Sequence, residues 1–183
     1  MWKPWAVFLF SIGCTADNPD WGDMLPEHPE SPPDLSACVS SLSGVGTGDF
    51  SIHFQITTKA SVESTVLYQR AGCDANRDFW NVNLSAGGQL IAEVVQGGSG
   101  TYTVLTTTTP VNDGKPHAIS IDRVAFVLAA TTDGGFSGSK AAPGSLGQLP
   151  PLGITKGNPC EAAGLKPLSG SVTDVCLTRG RVP

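Results

Sequence analysis

The sequence of 183 residues has no apolar run of the roughly 20 residues that a bilayer-spanning helix takes. It has no stripe of Lys and Arg, and 11 basic residues stand against 16 acidic ones, so nucleic acid is not an expected partner. No Cys-x-x-Cys pair occurs, which argues against a four-cysteine zinc site. The 3.6-residue apolar stripe of an amphipathic helix is missing as well. Gly (22) and Pro (14) are plentiful, but without a Gly-X-Y period, so the chain is turn-rich and not collagenous.

What is present divides the chain in three. Residues 1–14 carry one base, Lys3, then an apolar run of about nine residues, the pattern of a signal peptide. Its end, Ser11-Ile12-Gly13-Cys14, resembles the bacterial lipobox, which implies lipidation of Cys14 and attachment to a membrane through that lipid. Residues 15–37 hold six acids (Asp17, Asp20, Asp23, Glu27, Glu30, Asp34), five prolines and no Lys or Arg. Such a segment buries too little to fold, and like charges with repeated Pro keep it extended as a tether. Residues 38–183 carry ten acids and ten bases, the neutral body of a single domain. With Thr15 after Cys14, the lipobox resemblance implies an exported protein at the outer membrane or cell surface.

The body reads as strands. Phe50, Ile52, Phe54 and Ile56 alternate with polar residues, as do Trp80, Val82 and Leu84, and Ile119 with Ile121. Further strands are expected at 65–69, 89–96, 101–107, 125–132 and 169–178, separated by Gly- and Asp-rich turns. The expected fold class is all-β, a two-sheet antiparallel sandwich. Residues 138–168 show no strand beyond a short one near 151–155. Four cysteines remain after Cys14, an even number that fits disulfides in an oxidising compartment. Three connectivities are open. The Gly/Pro loop from Cys160 to Cys176 suggests pairing those two, with Cys38 left to Cys73.

Four stretches, in order, resemble the laminin G family. They are Phe79–Leu84 with Gly87-Gly88-Gln89-Leu90, then Asn112-Asp113-Gly114-Lys115-Pro116-His117 leading to Arg123, then 126–134, then Leu168–Val175. The resemblance spans 38–178 and implies the concanavalin A-like jelly roll. It also implies a calcium site at the rim of the sandwich, with Asp78 and the carbonyl of Gln96 as ligands. Asp74, Asn76 and Asp78 alternate as a hard cation would want, although Phe79 and Ser85 exclude an EF-hand loop.

Catalysis finds no foothold in the residue pattern. Glucanases of this architecture need paired carboxylates, whereas Glu63, Glu93 and Glu161 each lack an acid two residues on. The strings around Ser99 and Ser137 lack the closing glycine of a nucleophile elbow. His53 belongs to the polar face of a strand, and His117 to the family's turn. The expectation is therefore a binding module and not an enzyme. Phe79, Asn81 and Asn83 share the face opposite Trp80 and make an aromatic-plus-amide set suited to sugar. The expected partner is a glycan or an extracellular protein; the alternative is a structural envelope component.

Overall fold

In the computed structural model, residues 38–70, 73, 77–97, 100–157, 160 and 165–180 are described. Cys14, the signal and the 15–37 segment lie outside them, as do Asp74 and Asn76. The strands are β1 (Phe50–Thr58), β2 (Ser64–Arg70), β3 (Phe79–Leu84), β4 (Leu90–Gln96), β5 (Thr101–Thr106) and β6 (Pro116–Val124). They continue as β7 (Val127–Thr132), β8 (Gly135–Ala141), β9 (Gly153–Ile154), β10 (Lys166–Pro167) and β11 (Gly170–Arg179). One sheet runs β11-β1-β6-β7-β8 and the other β10-β2-β3-β4-β5, with β9 also on β2. All pairs are antiparallel except β10 on β2.

Period-two alternation is what closes this sandwich. Phe50, Ile52, Phe54 and Ile56 of β1 join Trp80, Val82 and Leu84 of β3 in one apolar cluster, each at most 2% exposed. Inner faces of both sheets meet there, and burial of such side chains contributes about 1.5–3 kcal/mol apiece. Arg123, at the end of β6, is buried with them. Its guanidinium donates to the carbonyls of Gly46, Gly48 and Gly144 and stands 4.6 Å from the Phe50 ring centroid. Burial lowers its pKa, and the charge of Asp49 opposes that shift. Three backbone acceptors make the buried cation tolerable.

Three expectations need correction. The first is the disulfide pairing: the bonds are Cys38–Cys176 and Cys73–Cys160, and not Cys160–Cys176 with Cys38–Cys73. Sequence proximity was the wrong guide, because the sandwich lays its first segment along its last strand. Val39 bridges Leu177 beside the first bond. Secondly, the strand expected over 125–132 begins only at Val127, since Ala125 and Phe126 (φ 47° and 67°) form a two-residue hairpin turn. Asn-Gly usually announces that turn, and Ala-Phe does not. Thirdly, β8 runs into the 138–168 stretch, and β10 lies within it, where no strand beyond 151–155 was assignable. β8 is an edge strand with mostly exposed residues, so no apolar alternation marks it; its ladder with β7 alone defines it.

Candidate functional site

All six residues of β3 are buried, although only the alternate residues Trp80, Val82 and Leu84 face the core. Phe79, Asn81 and Asn83 lie on the opposite, outer face. Phe79 (7% exposed) and its neighbour Val95 are buried yet stand outside the core cluster. The outward placement of the three expected ligand residues therefore holds, while their exposure to solvent does not.

Register sets their company. Asn81 stands between Tyr68 on β2 and Glu93 on β4, and Asn83 between Thr65 and Ile91. In the next row Arg70 pairs with Phe79, its guanidinium 4.1 Å from the ring centroid. Tyr102, more than half exposed on β5, donates its hydroxyl to Glu93 Oε1. Tyr68 lies over Gly153 of β9, where any Cβ would strike the phenol ring. Tyr68, Arg70, Glu93 and Tyr102 were not foreseen as site residues. Each becomes a neighbour of β3 only through strand register, which no local pattern specifies.

Asn81 is the anomaly of this face. It is 1% exposed, and neither Oδ1 nor Nδ2 has a hydrogen-bond partner; Asn83 Oδ1 lacks one too. An unsatisfied buried polar group costs about 1–3 kcal/mol, and native folds seldom retain one without a reason.

The rim residues Asp78 and Gln96 both reach the 144–147 loop through their side chains. Asp78 Oδ1 accepts from the Gly97 N–H at 2.8 Å and Oδ2 from the Gly147 N–H at 2.5 Å. Gln96 Oε1 accepts from the Ser145 N–H at 2.9 Å. A Cβ on Gly147 would stand 2.8 Å from Asp78 Oδ2, so glycine lets that loop close on the carboxylate. Calcium takes six to eight oxygens. Among the described residues no group of three or more His, Cys, Asp or Glu could hold a metal. Two N–H groups hold the Asp78 carboxylate in place, while Asp74 and Asn76, the other oxygen donors of the expected cation set, lie outside the described residues.

The two described histidines stand beside acids. His117 Nδ1 lies 2.7 Å from Asp133 Oδ2 and Nε2 3.0 Å from Asp113 Oδ1, so neither nitrogen is open to a substrate. Burial disfavours protonation of this ring, but both aspartates outweigh it and its pKa is raised above 6.5. The Lys115 N–H, then the His117 hydrogen bond, lower Asp113 to about 2. On the adjacent strand of the same sheet, His53 Nε2 is 3.8 Å from Asp122, whose second oxygen takes the Ser120 hydroxyl.

This geometry, a two-sheet sandwich with a D-G turn histidine and a buried strand-end arginine, agrees with a match to the Laminin G domain family over residues 57–157. The chain belongs to the laminin G domain family. Domains LG4-5 of the mouse laminin alpha1 chain superpose with a TM-score of 0.57 at 17% identity, over 85% of this chain and 48% of that one. The Ruminococcus gnavus IT-sialidase CBM40 bound to alpha2,3 sialyllactose gives 0.59 at 8% identity, over 76% and 80%. A Limulus polyphemus SAP-like pentraxin gives 0.55 at 10%, over 75% and 67%. No curated protein matches the chain. These likenesses establish the jelly roll, and the laminin G sandwich here carries two disulfides, as exported domains do.

Proposed function

We propose that this laminin G domain is a non-catalytic binding module, held at the outer membrane or cell surface by lipidated Cys14 and the acidic 15–37 tether, that recognises a glycan or an extracellular protein. The observation that carries the reading is the outer face of β3, where Phe79, Asn81 and Asn83 line up outside the core with unsatisfied amide atoms at their centre. A spacer without a ligand has no use for such a face, because apolar residues would make it more stable. The membership in a family of extracellular domains and the likeness to a carbohydrate-binding module agree with this.

The test is retention of the purified chain on arrays of glycans and of extracellular-matrix proteins. Binding to either class is expected; a chain that binds neither is the structural component instead. The anchor is checked separately by the mass of the mature N-terminus, expected to be a diacylated cysteine at position 14. An N-terminus elsewhere removes the tethering and leaves the binding role to stand on the arrays.

A further inference from the structure

Two side-chain amides in neighbouring strands show opposite fates. Gln69, on the inner face of β2, fills every hydrogen-bonding position it has: Oε1 accepts from Trp80 and Leu42, and Nε2 donates to Ser41 and Pro150. Asn81, in the adjacent strand and facing outward, fills none. The fold thus completes the amide it uses for structure and leaves the other incomplete. Across the outer face the central row runs Tyr68, Asn81, Glu93, Val104, with Phe79 and Asn83 to either side along β3.

We propose that this outer sheet face is a carbohydrate site, centred on Asn81, that takes a neutral sugar through two adjacent hydroxyls. The proposal rests on the reading of the domain as a binding module and specifies its ligand class. A primary amide presents an acceptor oxygen and a donor nitrogen side by side. Adjacent ring hydroxyls, each able to donate and to accept, match that pair in a bidentate contact. Tyr102, more than half exposed on this face, offers aromatic surface for the C–H side of a sugar ring, and the half-buried Tyr68 flanks the amide. Glu93, the register neighbour of Asn81 with its carboxylate on the Tyr102 hydroxyl, brings a negative charge to this face that disfavours an acidic sugar, while the Arg70 charge lies one row away over Phe79.

Asn81 is shielded, so the sugar reaches it by displacing the half-buried Tyr68 or Glu93 side chain. That shielding also favours binding. Folding has already removed water from the amide, so a hydrogen bond made to it by a ligand is not offset by stripping water from the protein atom.

The experiment compares the full chain with Asn81→Val. It measures melting temperature and retention on albumin carrying glucose, galactose or mannose, with sialyllactose-albumin and extracellular-matrix proteins alongside. Neutral conjugates are expected to be retained by the parent and weakened at least tenfold by Asn81→Val, whose melting temperature is equal or higher. A clear drop in melting temperature means that Asn81 has a structural role, and overturns the site. Neutral binding untouched by Asn81→Val overturns it also. Retention of sialyllactose-albumin alone overturns the neutral class, and retention of matrix proteins alone overturns the sugar; in both cases the binding-module reading survives. Loss of every ligand class overturns that reading too. Tyr102→Ala, at an exposed flank, is the second variant: it is expected to weaken neutral binding without unfolding risk, and unchanged binding counts against the site.

Discussion

The indole N–H of Trp80 donates to Gln69 Oε1 at 2.8 Å, and this one bond ties the core to two loops. The same amide oxygen takes the Leu42 N–H, and its nitrogen reaches Ser41 Oγ and the Pro150 carbonyl. Gln69→Leu, close in size, leaves the Trp80 and Leu42 donors buried and unpaired. A loss of about 3–5 kcal/mol is expected from stranding several such groups. Urea unfolding followed by Trp fluorescence measures it; a change under 1 kcal/mol would show that water replaces the amide.

Arg123 makes a parallel demand. Arg123→Lys keeps the charge but cannot span three carbonyls, two on the 44–48 turn and one at Gly144. Destabilisation of about 3 kcal/mol is expected, in line with a buried charge whose partners are removed. Proteolysis should then cut first within 44–48, the turn that Arg123 holds; protection there unchanged from the parent argues otherwise.

Stability should vary with pH through the His117 cluster. The pKa of His117 is raised, so its contribution is complete below about pH 6.5 and fades as pH climbs through the folded value. Asp113 is lowered from 3.8 to about 2, so its contribution is complete above 3.8 and fades as pH falls toward 2. Between these limits the melting temperature should peak. His117→Asn is expected to flatten the decline on the neutral side while keeping the acid limb from other carboxylates. A decline identical in both proteins would assign it to another group.

The rim carboxylate is expected to act as a loop clamp. Asp78→Ala removes the acceptor for the Gly97 and Gly147 N–H groups and should cost about 2–3 kcal/mol, with or without calcium. Melting curves in calcium and in EDTA should coincide for the parent chain. A calcium-dependent rise that Asp78→Ala abolishes would instead place a metal site at this carboxylate.

Both disulfides close long loops, with sequence separations of 138 and 87 residues. Loss of either native bond is expected to cost about 2–5 kcal/mol. Peptide mapping under non-reducing conditions checks the pairing directly: a Cys160–Cys176 fragment would refute the connectivity.

Much of the fold could be read from residue order. Phe50 to Ile56 alternate with polar residues, and a strand buried on one face needs that pattern wherever it lies. Trp80 was assignable to the core for the same reason. The D-G-x-x-H turn with Arg123 pointed to the family because turn geometry and a strand-end charge are local features. The candidate face was half legible: Phe79, Asn81 and Asn83 share a side by parity alone. That Tyr68 and Glu93 stand beside Asn81 was not, and neither was the burial of the outward face.

Residue order alone settled which side of each strand is apolar and where the chain can turn, because side chains alternate every second residue whatever the strand pairs with. Only the tertiary structure decided which cysteines meet, what compensates Asp78, and which residues surround Asn81. Those depend on contacts between segments tens of residues apart, and such contacts follow from how two sheets stack and register, a property of the whole sandwich and of no single stretch.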